Sequence, residues 1–349
     1  MIASNASLTK FLNEISSVPH IALDTEADSL YCYSEKLCLI QISIESDTVL
    51  VDPLSKVDLR LLFKGIFNKR VVFHGGDYDL RLLARYGEFK PYEIFDTMIA
   101  ARLLGYHRLG LAALVEHFFS VKLSKVAQRA NWALRPLTQQ MIVYAINDTK
   151  FLLPLARILE ADILRLGRQE WLRQSLERML YSARTRKSKD FTKAWRITGS
   201  SALPPNAQAI LQELWNWREE EARECNRPPF YIMRDEAMLK IAEAAIKDIQ
   251  PPIPKFSSSR RKRFTEMLSN ARKIPEDCWP VQKKERSSRH YPSKHAVKEF
   301  LRLKNFRDEI AKKEKIDPAI IASKGSLELV AFQRDFSDLM DWQRHLLRL

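Results

Sequence analysis

Apolar residues in this chain gather first in short runs and then at helical spacing. Ile21-Ala22-Leu23 is a short apolar run of the kind a buried strand carries. Leu37–Ile44 runs apolar and Thr48–Val51 follows it, with Glu45–Asp47 between them as the turn, so the two predict a hairpin. Val71–Phe73 predicts another short strand. Residues 1–19 predict a short helix with Ser7 or Thr9 as its cap, and residues 59–67 and 78–86 predict two more, the latter with Leu80, Leu83 and Ala84 on one face. Phe95 is expected to open a helix through Leu104. Further helices are expected over residues 111–119 and, beginning near Thr138, over Pro136–Leu159. Strands first and interspersed helices after them predict an α/β sheet domain reaching roughly residue 180.

Beyond that point the pattern changes. Arg184, Arg186, Lys187 and Lys189 form a basic run, followed by Thr198-Gly199-Ser200-Ser201 and Pro204-Pro205, which mark a boundary. The remainder carries an internal repeat. Arg218, Ala222, Pro229, Ile232 and Ala242 recur as Arg307, Ala311, Pro318, Ile321 and Ala331, each pair 89 residues apart. A constant offset over five positions points to a duplicated helical module, each copy an amphipathic helix, a proline-bearing turn and another helix. Between the copies, Ser257–Ser259 lead into Arg260-Arg261-Lys262-Arg263, and Lys283-Lys284 with Arg286 and Arg289 add to the basic linker.

Composition narrows the function classes. At 349 residues and 46% hydrophobic, the chain is long enough and apolar enough for two or three globular domains. No apolar run has the length of a membrane helix, and the N-terminus lacks the pattern of a signal peptide. Cys32, Cys38, Cys225 and Cys278 match neither a zinc site nor a disulfide framework, so a cytoplasmic setting is expected. Of the net +14, residues 1–180 carry only +2 and residues 181–349 the remaining +12. That imbalance favours a polyanionic partner, nucleic acid first, and makes the basic runs candidate phosphate contacts.

The candidate chemistry lies in the nearly neutral half. Asp24 and Glu26 directly follow the first apolar run, and on a strand they would project together to one side. Two like charges that close call for a cation between them, and hard oxygen ligands suit Mg²⁺ or Mn²⁺. Asp79 follows the Val71–Phe73 strand at a helix start, with Asp77 competing for its role. Asp148 shares a helix face with Tyr144, Met141 and Leu152, where an acid must be paired by an arginine or bound to metal. Four acids on four separated elements share one explanation. Two-metal phosphodiester cleavage needs carboxylates holding two cations about 4 Å apart, one to activate a water and one to steady the leaving 3′ oxygen. Tyr144 would orient that water or help deprotonate it.

Asp24-Thr25-Glu26, then His74-Gly75-Gly76-Asp77-Tyr78-Asp79, then Tyr144 and Asp148 four residues on, resemble the DEDD-type 3′–5′ exonucleases of the tyrosine subclass. Val143 stands where the histidine subclass would have its histidine. Leu37-Cys38-Leu39-Ile40-Gln41-Ile42, Phe95-Asp96-Thr97, and Asn131-Trp132 leading to Arg135-Pro136-Leu137-Thr138 extend the likeness to the ribonuclease D family over about residues 5–170. The first repeat copy, with Leu211, Trp215, Trp217 and Arg218, resembles the helicase-and-ribonuclease-D C-terminal (HRDC) domain, and the other copy resembles a more diverged partner of it.

The resemblance implies an α/β ribonuclease H-like exonuclease domain with a mixed sheet flanked by helices, over residues 1–195. Two all-α HRDC-like domains would follow, over 206–280 and 290–349. It implies that Asp24, Glu26 and Asp148 hold the first of two divalent ions, that Asp24 shares in the second, and that Asp79 has a weaker or water-mediated part. It implies a 3′–5′ exoribonuclease that trims tRNA precursors and other small structured RNAs and releases nucleoside 5′-monophosphates. Two other readings stay open on sequence: a DNA exonuclease of the same superfamily, since no residue pattern reveals a 2′-hydroxyl reader, and a non-catalytic RNA-binding scaffold. Trp215 and Trp217 are candidates for stacking on bases, with core burial the commoner fate of tryptophan.

Overall fold

In the computed structural model, residues 187–189, 248, 250–252 and 281–291 lie outside the described part of the chain, and with them Lys187, Lys189, Lys283, Lys284, Arg286 and Arg289 of the basic runs. The chain separates into two compact units. One comprises residues 1–27, 37–186 and 290–349, and the other residues 28–36 and 187–289. Compactness thus divides the chain differently from its sequence modules, because the last helical segment belongs to the sheet-bearing unit.

The first unit is built on a mixed six-stranded sheet in the order β1-β4-β3-β2-β5-β6. Its strands are β1 (Ile2–Ser4), β2 (His20–Ala27), β3 (Leu37–Ser43), β4 (Thr48–Lys56), β5 (Arg70–Phe73) and β6 (Glu93–Asp96). β2–β3 and β3–β4 are antiparallel, whereas β2–β5, β5–β6 and β1–β4 are parallel. The N-terminal residues differ from expectation. β1 precedes α1 (Asn5–Glu14), and the cap is Ser4, whose hydroxyl accepts from the Ser7 amide while Ser7 returns the bond. α2 (Leu59–Gly65) and α3 (Asp77–Leu83) follow.

Phe95 does not open a helix. It lies in the edge strand β6, and Asp96 then caps α4 (Thr97–Leu103) by accepting from the amides of Met98 and Ile99 at 2.9 Å. After α5 (Leu111–Phe119), the long helix expected over Pro136–Leu159 divides at Phe151 into α6 (Gln139–Lys150) and α7 (Leu152–Arg165). Pro154 explains the break. Its ring would collide with the carbonyl of Lys150, four residues back, yet it is tolerated in the first turn of a new helix. α8 (Gln169–Thr185) completes the series.

β3 separates two cores by alternation. Ile40 and Ile42 face the core holding Phe11, Leu62 and Leu83, while Leu39 faces Trp132, Met141 and Ala145 beneath α6. A further core joins Phe95, Leu103, Leu114, Leu155 and Leu159 to residues of the last helical segment, among them Leu303, Ile321, Leu327 and Trp342. Trp342 stacks on Trp171 of α8 at 4.6 Å.

The two repeat copies take matching conformations, each described within its own unit. The first has α9 (Pro205–Glu224), α10 (Pro229–Ile232) and α11 (Asp235–Ile246), followed by α12 (Ser258–Ala271). The second has α13 (Lys294–Glu314), α14 (Pro318–Ile321) and α15 (Lys324–Glu328), then a π-turn and α16 (Asp341–Leu347). Arg218 donates to the carbonyl of Met233 and Arg307 to that of Ala322, again 89 positions apart. Each arginine also pairs with the acid that follows it, Glu219 or Asp308.

In the first copy Trp215 and Trp217 are both core, at 3% and 7% exposure, so neither offers a face to a base. Of the basic run, Arg260 and Arg263 are drawn onto the buried Glu221, which leaves Arg261 and Lys262 exposed for another partner.

Candidate active site

The site forms where β2 runs out beneath α6. Asp24 and Glu26 lie on β2 on the face opposite Leu23 and Thr25. Asp148 lies in the last full turn of α6, before the break at Phe151. One carboxylate oxygen from each of Asp24, Glu26 and Asp148 lies within 4.8 Å of the others. α6 is held over the sheet by its approach. Thr138 caps it by accepting from the Met141 amide, and Trp132, 1% exposed, packs its ring 6.0 Å from that of Tyr144. Arg135 donates to both oxygens of Asp52 on β4 at 2.6 and 2.7 Å and to the Cys38 carbonyl of β3 at 2.7 Å. The Asn131-to-Thr138 motif therefore acts by placing Tyr144 and Asp148.

Asp79 stands apart from that oxygen cluster. Its Oδ1 accepts from the Thr25 amide at 3.0 Å and the Thr25 hydroxyl at 2.5 Å, which ties the start of α3 to the residue between Asp24 and Glu26. Asp77 points elsewhere, into an ion pair with Arg81 at 2.9 Å, and is far more exposed. The turn before α3 explains why Asp79 arrives where it does. Gly75 has φ +73, and a Cβ on Gly76 would stand 2.7 Å from Phe73, so this backbone needs glycine at both positions. The Gly76 amide donates to Asp96 Oδ2 at 2.8 Å, so one buried aspartate secures the starts of both α3 and α4. Thr25 and Asp96 are the positioning residues that sequence reasoning left without a role. Thr25 lay between the two acids, and Asp96 stood immediately before a helical pattern.

Electrostatics single out the same cluster. Burial, and then the charges of Asp79, Asp148 and Glu26, raise the Asp24 carboxyl well above its ordinary range. Burial followed by Asp148 and Asp79 pushes Glu26 up to about 9. Asp148 and Asp79 are raised too, chiefly by burial, against hydrogen bonds from Tyr144 and Thr25 respectively. Among the described residues, no basic side chain figures among the main charges acting on these four. An arginine partner for Asp148 is thus replaced by the Tyr144 hydroxyl. A set of hard oxygen donors short of positive charge fits a divalent cation. Tyr144 itself is raised by burial and then by Asp148, Glu26 and Asp24, so its hydroxyl keeps its proton.

Comparison with known proteins agrees with this geometry. The 3′–5′ exonuclease family profile matches residues 1–164 and the HRDC domain profile residues 207–251. Ribonuclease D of Nitrobacter hamburgensis is 28% identical over 99% of this chain and 92% of its own length. Ribonuclease D of Sphingobium indicum is 33% identical over 69% of this chain and 63% of its own. The crystal structure of Escherichia coli RNase D, described as an exoribonuclease involved in structured RNA processing, superposes with a TM-score of 0.71 at 25% identity. The match covers 100% of this chain and 98% of that one. Sheet order, acidic cluster, helical modules and relatives agree, and the chain belongs to the ribonuclease D family of 3′–5′ exoribonucleases.

Proposed function

We propose that this protein removes nucleotides singly from the 3′ ends of tRNA precursors and other small structured RNAs, releasing nucleoside 5′-monophosphates. Asp24, Glu26 and Asp148 hold the first of two divalent ions, Mg²⁺ or Mn²⁺, Asp24 shares in the second, and Asp79 contributes indirectly. The carrying observation is the convergence of three carboxylate oxygens within 4.8 Å, with no basic side chain among the described residues prominent in the charges acting on them. When bound, the ions supply an activated water near neutral pH and charge stabilisation at the leaving 3′ oxygen. Among the described residues no helix is long and apolar enough to cross a membrane, which suits the cytoplasmic setting proposed for such substrates.

The chain's own residues then have separate tasks. Asp24 and Glu26, fixed on a central strand, present their oxygens in a set direction. Thr25 locks Asp79 beside them. Tyr144 donates to Asp148 and keeps its proton, so it orients the attacking water and does not accept the water's proton. Arg261 and Lys262 are candidate contacts for RNA phosphates.

Product analysis tests the reading, with 3′-tailed tRNA and single-stranded DNA offered side by side. Mononucleotides released from the tRNA tail, with slower release from DNA, are expected. Preference for DNA would move the protein to the DNA exonucleases of the superfamily, and no product from either would leave a binding scaffold. Tyr144→Phe removes only the hydroxyl and keeps the ring against Trp132. Its rate should fall about 10²-fold, the scale on which a misplaced reacting group costs, with the melting temperature unchanged. A rate equal to wild type would show that the ring merely packs.

A further inference from the structure

Gln41 is the one buried amide side chain among the described residues with both polar ends unpaired. It is 0% exposed, and neither its Nε2 nor its Oε1 meets a hydrogen-bond partner. Buried amides in folded proteins are nearly always satisfied, so an orphan with two open ends calls for a partner that the protein itself does not supply.

Its position says which. Gln41 on β3 stands directly opposite Asp24 on β2 in the antiparallel register, and Glu26 is opposite Leu39. Side chains directly opposite share a face, and alternation puts Leu39, Gln41 and Ser43 on the face that carries Asp24 and Glu26. α6 covers that face, because the Ser43 hydroxyl bonds that of Thr149 at 2.7 Å, one residue beyond Asp148. Gln41 therefore lies under the acidic cluster, between the strand that carries Asp24 and the helix that carries Asp148.

We propose that Gln41 is a positioning residue of the catalytic centre, whose amide holds the Asp24 carboxylate in its metal-binding orientation through one ordered water. An amide suits this task because it can donate to a bridging water through Nε2 or accept from it through Oε1. It adds no charge to a cluster already crowded with them. Leucine or methionine at this position would fill the volume without cost to the fold, and would satisfy the strand pattern better. The inference rests on the reading of Asp24, Glu26 and Asp148 as metal ligands.

The test is a calorimetric titration of Mn²⁺ into RNA-free protein, wild type beside Gln41→Met and Gln41→Asn. The first variant removes the amide at similar volume, and the second draws it back by one methylene. Both should bind Mn²⁺ about 10–100-fold more weakly, the usual cost of losing a group that orients a ligand. In EDTA, Gln41→Met should melt at or above the wild-type temperature, since an unsatisfied buried amide has gone. kcat should fall while KM for RNA holds, and excess Mn²⁺ should restore part of the rate. Mn²⁺ affinity equal to wild type in a folded variant, either one, overturns the role of Gln41 and leaves the metal site standing. Absence of Mn²⁺ binding by wild type overturns both. Should Gln41→Met fail to fold, Gln41→Asn decides.

Discussion

Asp24→Asn is expected to lower turnover by about 10³-fold or more while RNA affinity stays close to wild type, since several kcal/mol of transition-state charge stabilisation depend on that oxygen pair. Asp24 lies nearest the centre of the cluster's repulsion, with Asp79, Asp148 and Glu26 all acting on it. Single-turnover cleavage and a separate RNA-binding titration measure the two effects. Substantial residual cleavage would end the two-metal reading. An Asp77→Asn loss larger than that of Asp79→Asn would contradict the geometry, because Asp77 is occupied with Arg81.

The same variant carries a stability signature. Glu26, with its carboxyl near 9, and the raised Asp24 and Asp148 make the metal-free fold bind more protons than the unfolded chain above the ordinary carboxylate range. Stability from these groups is therefore complete at low pH and drains away as pH rises towards 9. His74, lowered by burial to about 4, works in the opposite direction below its ordinary value of 6.5, so the clean window lies above neutrality. In EDTA the wild-type melting temperature should fall between about pH 7 and pH 9, and Asp24→Asn should melt higher and with a flatter profile. Adding Mg²⁺ should raise wild type most at the alkaline end. A wild-type melting temperature flat across that window would deny the cluster its charge strain.

Much of this site was legible because its signals are local. The two-residue spacing of Asp24 and Glu26 needs only a strand to become a shared face, and the four-residue spacing of Tyr144 and Asp148 needs only a helix. The hydrogen bonds of Asp79 to Thr25 span 54 positions, and no periodicity carries them. Two misreadings had visible causes. Pro154 announced the end of α6, and Asp96 announced a cap, which makes the residues before it a strand and not a first turn. Core burial, the commoner expectation for the two tryptophans, holds for Trp217 through its edge contact with Phe264 at 5.2 Å. The repeat was legible in full, but its consequence was not. Charge counting places both copies in the basic half, whereas packing places the second among the apolar side chains of the catalytic unit.

That division yields the last expectation, in which equivalent leucines of the two copies behave differently. Leu214 and Leu303 are 89 positions apart and both fully buried. Leu303→Ala opens a cavity in the core shared with Leu103, Leu155 and Trp342, and should cost about 2–5 kcal/mol of the stability that sustains catalysis. Leu214→Ala opens its cavity beside Trp215 and Met238. Turnover of short oligomers should then survive heating to the temperature at which Leu303→Ala has lost it. Arg168, 4% exposed, donates to the carbonyls of Leu103 and Glu314, and a Cβ on Gly105, at φ +91, would stand 2.1 Å from the Lys315 carbonyl. Gly105→Ala should therefore act like Leu303→Ala from the other side of the same seam. A chain ending near residue 200, which charge alone would leave as a free-standing exonuclease, should not remain folded at 37 °C. The RNA handle is then tested by Arg261→Ala/Lys262→Ala, which should weaken tRNA binding and lower its salt slope by about one unit per lost phosphate contact, with short-oligomer turnover unchanged. Equal loss of heat-stable turnover in Leu214→Ala and Leu303→Ala would mean that both copies brace the catalytic core alike.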